Sequence, residues 1–273
     1  TIEQLAAAWK RVHKGMDQAV HFLVHNCQID RLELLPTNTI LVPLTVFFDV
    51  FGAGVTTQQA RELQRWVYMA LIWARYSVSS ETSIDQDVAV LQKNRSIQEM
   101  IQNIEDKVGR RPVTERELRD QRKNSPYMLM AYVLARYAHA QDWFNGVALG
   151  RDQALELHHI FPKKLLRERY NLRKDSLTVD QVANLVFLSG PANNRISSTA
   201  PNLYLPEIAP ERLRAQHVPA NPDLWTIANF EEFLLERRSL LAEAINRLLL
   251  SLNDQPSLWP TSLVEMLDVR IDA

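Results

Sequence analysis

The sequence predicts a mainly α protein, a helical domain with a small strand-bearing element embedded in it. Three observations predict it. Only 7 of the 273 residues are glycine, while Leu, Ala, Gln and Arg, all good helix formers, are frequent. Apolar residues recur at helical spacing over much of the chain. One stretch, residues 155–205, departs from that texture, with short segments set between turn residues.

Taken in order, residues 2–26 form one amphipathic helix. Residues 32–36 read as a short extended piece, with Pro36 and Asn38 as turn residues. Residues 41–51 are apolar enough for a buried helix, ended by Gly52 and Gly54. A clearer helix starts at Thr57, with Leu63, Trp66, Val67, Ala70, Leu71 and Ala74 on one face. Residues 77–83 are a polar break, and residues 85–105 continue as helix. Residues 110–112 make a turn, residues 114–122 a charged helix, and Pro126 opens a helix reaching about residue 141. The string TERELRDQ has the charge of a DNA-recognition helix, but charged surface helices are far commoner. Residues 143–150 are a loop with two glycines. Residues 155–160 read as a strand ending at Pro162, residues 163–170 as a basic helical or irregular stretch, and residues 182–188 as a helix end or strand. A turn at 189–191 and a short helix at 192–198 follow. Residues 230–252 close the chain with a strong helix, whose one face carries Leu241, Ala244, Ile245, Leu248 and Leu249.

Composition removes several function classes. Lys plus Arg is 31 and Asp plus Glu is 32, a formal net charge of −1, which excludes histone-like coating of nucleic acid. The single cysteine, Cys27, allows neither an internal disulfide nor a multi-cysteine zinc knuckle. The first nine residues are neither basic nor apolar enough for a signal peptide. The longest apolar run, residues 40–55, contains Pro43 and Asp49 and is too short for a membrane span. A cytoplasmic protein is the simplest reading, and the opening on Thr1 suggests a processed chain or a fragment of a longer one.

The chemistry concentrates in LELHHIFPKKLL (residues 155–166) and VANLVFLSGPANNRISS (residues 182–198). Adjacent histidines on a strand, His158 and His159, project to opposite faces, so one can face a metal and the other a water. Asn184 follows in an Asn-Leu step, and Asn193 and Asn194 precede Arg195. This set suits phosphodiester hydrolysis. An imidazole titrates near neutrality and can deprotonate water. A divalent cation can stabilise the developing negative charge. Nitrogen and oxygen donors without cysteine suit a hard or borderline ion. Lys163, Lys164, Arg167 and Arg195 are placed to hold phosphates.

The string LHHIFP…ANLVFLS…NNR resembles the His-Asn-His (HNH) nuclease motif of a ββα-metal finger. Its HHIFP form is similar to the C-terminal nuclease region of the GmrSD-like modification-dependent restriction family. RWVYMALIWARYSVSSETSIDQDV resembles that family's helical region, and FEEFLLERRSLLAEAINRLL its closing helix. The resemblance implies a helical connector domain over residues 1–142 and an HNH nuclease domain over residues 143–273. It implies His159 as the general base, His158 as a metal ligand where relatives often carry Asp, and Asn184 as the residue that positions the base. Asn194 is implied as the second ligand, with Asn193 as the competing register. The implied cofactor is Mg²⁺, with Mn²⁺, Ni²⁺ and Zn²⁺ as alternatives. The implied activity is nicking of DNA to leave 5′-phosphate and 3′-hydroxyl ends, in defence against foreign DNA such as phage. The family's N-terminal half carries a nucleotide-dependent sensor domain. Neither its Asp-Gly-Gln-Gln-Arg-type string nor a Walker glycine loop occurs here, so the chain resembles the C-terminal portion and the sensor is an implied partner, as is a second copy of the chain.

Two other features weigh less. His13, His21 and His25 share a helix face near Cys27, but apolar neighbours and the lack of further ligands favour ordinary packing over zinc. The aromatic residues between Trp66 and Tyr76 read as core rather than as base-stacking platforms. The charge is uneven: residues 157–174 hold six basic residues against one acidic, a basic strip beside the histidine pair. The competing functional reading is a DNA-binding or assembly module whose finger is structural and non-catalytic.

Overall fold

A computed structural model of the chain describes residues 1–77, 80–150, 154–171 and 177–253. The described residues divide into two compact units, one of residues up to 112 with residues 247–253, the other of residues between 113 and 246. The expected boundary after residue 142 falls inside the second unit, which takes in the helix and loop before Trp143.

The first unit contains α1 (Ile2–His25), α2 (Leu41–Phe51), α3 (Thr57–Ile72), α4 (Ser80–Lys93) and α5 (Ile97–Val108). Thr1 and Thr56 close capping boxes on Gln4 and Gln59, which fixes the starts of α1 and α3. Packing of α1 on α2 requires glycine at one position: a Cβ on Gly15 would sit 2.6 Å from the Thr45 carbonyl oxygen. Trp66, Tyr68 and Tyr76 are buried, as the sequence predicts.

Four expectations fail in this part of the chain or just after it. The polar break expected over residues 77–83 is helical from Ser80, where α4 starts. Residues 32–34 are a 3₁₀ turn rather than extended. The single helix expected over 85–105 breaks between α4 and α5, where Arg95 takes φ 51° and Ser96 caps the second helix by accepting from the Glu99 N–H. The charged helix expected at 114–122, at the start of the second unit, is a series of turns. There the Glu117 carboxylate takes the Thr114 N–H at 2.7 Å and Asp120 takes φ 59°. Local carboxylate–backbone bonds compete with the helical ladder.

The second unit contains α6 (Pro126–Tyr137), β1 (Leu155–His159), α7 (Lys163–Tyr170), β2 (Leu185–Ser189), α8 (Gly190–Ile196), α9 (Pro201–Tyr204), α10 (Pro210–Arg214) and α11 (Phe230–Ser251) through Asn246. The strands pair antiparallel, with His158 opposite Val186 and His159 opposite Leu185. α6 ends at Tyr137, short of the expected residue 141, because Gln141 pairs with Ala148 to close the following loop. The turn expected at 189–191 is instead the start of α8: the Ser189 side chain accepts from the Ala192 N–H and Pro191 occupies the first helical turn. The stretch 182–188 is both things expected of it in turn, a 3₁₀ turn and then β2.

All five residues of β2 are buried. Its open edge is paired by a side chain: the Gln216 amide accepts from the Phe187 N–H at 2.8 Å and donates to the Phe187 carbonyl at 2.9 Å. That substitutes for a third strand. Arg237 of α11 is 1% exposed and donates to the carbonyls of Ala183, Leu185 and Gln216 at 2.9, 2.7 and 3.2 Å. It thereby ties the entry of β2 to the closing helix. Ile160, Phe161, Val186, Leu188, Ala192, Tyr204 and Phe230 share the core beneath. Among the described residues no helix is long and apolar enough to cross a membrane.

Candidate active site

The period of the strand separates the two histidines. His158 faces inward and is 3% exposed, while the His159 side chain keeps 21% of its surface open. Both line one open cleft of about 410 Å³ with Lys163, Lys164, Asn193 and Asn194. β1 and the loop after it supply one wall, and α8 the other.

Each imidazole has one nitrogen committed. His158 Nδ1 lies 2.6 Å from Asn193 Oδ1, and Asn193 Nδ2 donates to Glu156 Oε2 at 2.5 Å. The Glu156 carboxylate can only accept, which sets the amide so that its oxygen faces the ring. His158 then carries its proton on Nδ1 and its lone pair on Nε2, a buried atom with no hydrogen-bond partner. Burial pulls the His158 pKa down to about 4, against the lift from Asn193 and helped by neighbouring His159. On the other face, His159 Nε2 lies 2.8 Å from Asp180 Oδ1, the same oxygen that Lys163 Nζ approaches at 2.6 Å. By the same rule His159 carries its proton on Nε2 and leaves Nδ1 as the basic atom. Burial holds His159 below its ordinary value, opposed by the bond to Asp180. Burial pushes the Asp180 carboxyl up, but Lys163 and His159 more than offset it, so it stays below the usual carboxylate range. At neutral pH both imidazoles are neutral and Asp180, behind His159, is an ionised carboxylate.

Asn184 is fully buried beneath this arrangement. Its Oδ1 accepts from the Phe161 N–H at 2.8 Å, and its Nδ2 donates to the carbonyls of Phe161 and Val179 at 3.1 and 3.0 Å. The Ile160 N–H donates to its main-chain carbonyl at 2.9 Å. One side chain thus clamps the turn that leaves His159 to the segment that carries Asp180. The Tyr204 hydroxyl adds a bond to the Ile160 carbonyl at 2.9 Å.

The structure therefore brings His158, His159, Lys163, Lys164 and Asn194 to one cleft, with Asn184 behind it. Asn193 is occupied by Glu156 and His158, whereas Asn194 is exposed on the same cleft. Two expected phosphate-binding residues lie outside its lining. Arg167 is half-buried on α7, close enough to His159 to disfavour its cation. Arg195 sits 4.1 Å from the centre of the Phe144 ring and 3.6 Å from Glu207. Sequence reasoning missed Asp180 and Glu156. Glu156 had a signal, since residues two apart on a strand share a face. Asp180 had none, because it reaches His159 from a 3₁₀ turn 21 residues away.

The donor set admits a divalent cation. Among the described residues no three His, Cys, Asp or Glu side chains are grouped to hold a metal. An ion here would therefore rely on amide oxygen and water beside His158, whose partnerless Nε2 carries a lone pair.

Residues 105–231 match the family model described as GmrSD restriction endonucleases, C-terminal domain. No curated protein and no solved structure matches the chain. The match spans both strands, the histidine pair and the asparagines of the cleft. Over residues 105–231 the chain is similar to the C-terminal domain of the GmrSD restriction endonucleases.

Proposed function

We propose that the chain is a divalent-cation-dependent DNA endonuclease of the HNH type, which nicks DNA as the C-terminal part of a restriction protein directed against foreign DNA such as phage. The observation that carries this reading is the pairing, in one cleft, of a base-ready imidazole with a second imidazole and a solvent-facing amide. β1, β2 and α8 correspond to the strands and helix of a ββα finger.

His159 Nδ1 takes the proton from a water whose oxygen attacks phosphorus, while Asp180 holds the ring by Nε2–H. The P–O3′ bond breaks, leaving a 5′-phosphate, and the departing 3′ oxygen is protonated from solvent. Asn184 holds the loop that aims His159. Lys164 meets the phosphate backbone directly, and Lys163 does so in exchange with Asp180. A divalent ion, Mg²⁺ first, would be held by His158 and Asn194 and would supply Lewis-acid stabilisation of the phosphate charge. Arg167 and Arg195 would extend the basic surface along the DNA. A nucleotide-dependent sensor domain, a cytoplasmic setting and the roles of all these residues belong to the same proposal.

The test is plasmid nicking in Mg²⁺, Mn²⁺, Ni²⁺ and Zn²⁺ by the wild-type protein and by His159→Ala. Cleavage with at least one ion, lost in His159→Ala, is the expected result. Cleavage by His159→Ala at the wild-type rate overturns the mechanism. Metal-independent DNA binding with no cleavage under any ion would instead assign a non-catalytic binding module.

A further inference from the structure

The first half of α1 presents an apolar face to solvent. Ile2, Leu5, Trp9 and Val12 are 86, 72, 68 and 49% exposed. They alternate at spacings of three and four residues, the a and d positions of two heptads. The same seam continues through Met16, Ala19 and Leu23, where Ala19 and Leu23 are fully buried within the unit. A seam half used inside the unit and half open is unlike the scattered exposed apolar residues of an ordinary surface.

We infer that this open half-seam pairs with the same helix of a second copy, antiparallel and about a two-fold axis near Ala7. Antiparallel packing sets a positions against d positions. About that axis Ile2 meets Val12 and Leu5 meets Trp9 of the second copy, so the seam is complementary to itself. Ala6 and Ala8, which flank it, are small and let the helices approach. Charge selects the direction. Glu3 lies near one end and Lys10, Arg11 and Lys14 near the other. A parallel pair would set like charges together, whereas the antiparallel pair brings Glu3 toward Lys10 and Arg11 of the second copy. Arg11 also pairs with Asp49 of its own chain, which leaves Lys10 as the freer partner. The four side chains offer roughly 500 Å² per copy, so a pair covers on the order of 1,000 Å², the size at which specific association is expected. Such a dimer carries two candidate clefts.

Sedimentation equilibrium of the 273-residue chain tests this. The wild type is expected to dimerise in the micromolar range. Leu5→Glu should raise the dissociation constant at least about tenfold with an unchanged circular dichroism spectrum and melting temperature, since Leu5 is 72% exposed. Glu3→Lys should weaken the dimer, and adding Lys10→Glu to it should restore the wild-type value. A strict monomer at about 200 μM overturns the inference, as does a dimer indifferent to Leu5→Glu. Binding of the monomer to anionic phospholipid vesicles, lost in Leu5→Glu, would give the face to a membrane surface instead. Nicking at saturating plasmid reads the cleft separately, so failure of one proposal leaves the other standing.

Discussion

Replacing Asn184 by alanine is the sharpest test of how the cleft is held. The change removes one acceptor and two donated hydrogen bonds, to the Phe161 N–H and to the carbonyls of Phe161 and Val179. Phe161, Val179 and Asn184 are each fully buried, so bulk water does not replace the lost partner. A buried polar group left unpaired costs about 1–3 kcal/mol. Carbonyls tolerate under-satisfaction better than N–H groups, so the expected total is about 3–5 kcal/mol rather than the full sum. Against a typical domain stability of about 5–15 kcal/mol, the protein stays folded in the cold but is marginal at body temperature. Urea denaturation followed by circular dichroism measures the loss, and hydrogen exchange locates it. Protection should fall in peptides covering 155–188 and persist in α1 to α5. Asn184→Asp keeps the bond from Phe161 N–H but turns both donated bonds into oxygen facing oxygen, so it should be no milder at neutral pH. A loss below about 1 kcal/mol, or exchange rising evenly over both units, would refute the clamp.

Other outcomes follow from the same geometry. Asp180→Asn should lower single-turnover nicking about 100- to 10,000-fold while DNA affinity holds, because the imidazole loses the partner that fixes its tautomer; a drop under threefold would mean that the ring is aimed without it. Arg237→Met should cost about 2–4 kcal/mol, since the carbonyls of Val182, Ala183, Leu185 and Gln216 lose their donor, and thermal unfolding of the purified variant reads this. Asp142→Asn gives a pH signature. Burial pushes the Asp142 carboxyl up, but bonds from the N–H groups of Ser189, Phe144 and Asn145 win and hold it below its ordinary value. A depressed folded pKa adds stability above the unfolded carboxylate range, and that stability is lost as pH falls through the folded value. The variant should therefore be less stable than wild type by about 1–3 kcal/mol at pH 7, with the gap closing toward pH 3. A gap of equal size at both pH values, read from urea midpoints, would sink this account.

Much of the fold was legible because its signals are local. Capping residues and apolar spacing mark α1, α2, α3 and α11 in the sequence with ends that differ by at most a few residues from the structure. The errors share a cause. The break at Arg95 depends on one residue adopting φ 51°, which composition does not announce. The turns at 114–122 depend on Glu117 folding back on Thr114, where helix propensity alone favours a helix. The small helices α9 and α10, four and five residues long, are shorter than any periodic signal can register.

For the candidate site, the sequence by itself determined the residue types and the strand. The pair His158–His159 had to split between faces because a strand has a period of two, and Asn184, Asn193 and Asn194 stood at a readable distance. Only the tertiary structure decided how they are wired. It set Asn193 between Glu156 and His158, left Asn194 on the open side of the cleft, and brought Asp180 and Lys163 together on His159. It also turned two expected phosphate arginines away from the cleft, Arg195 onto Phe144 and Arg167 into a half-buried position. The physical reason is that spacing fixes which face a residue occupies within its own element. The partner it meets there depends on how separate elements pack, through contacts among residues far apart in the chain.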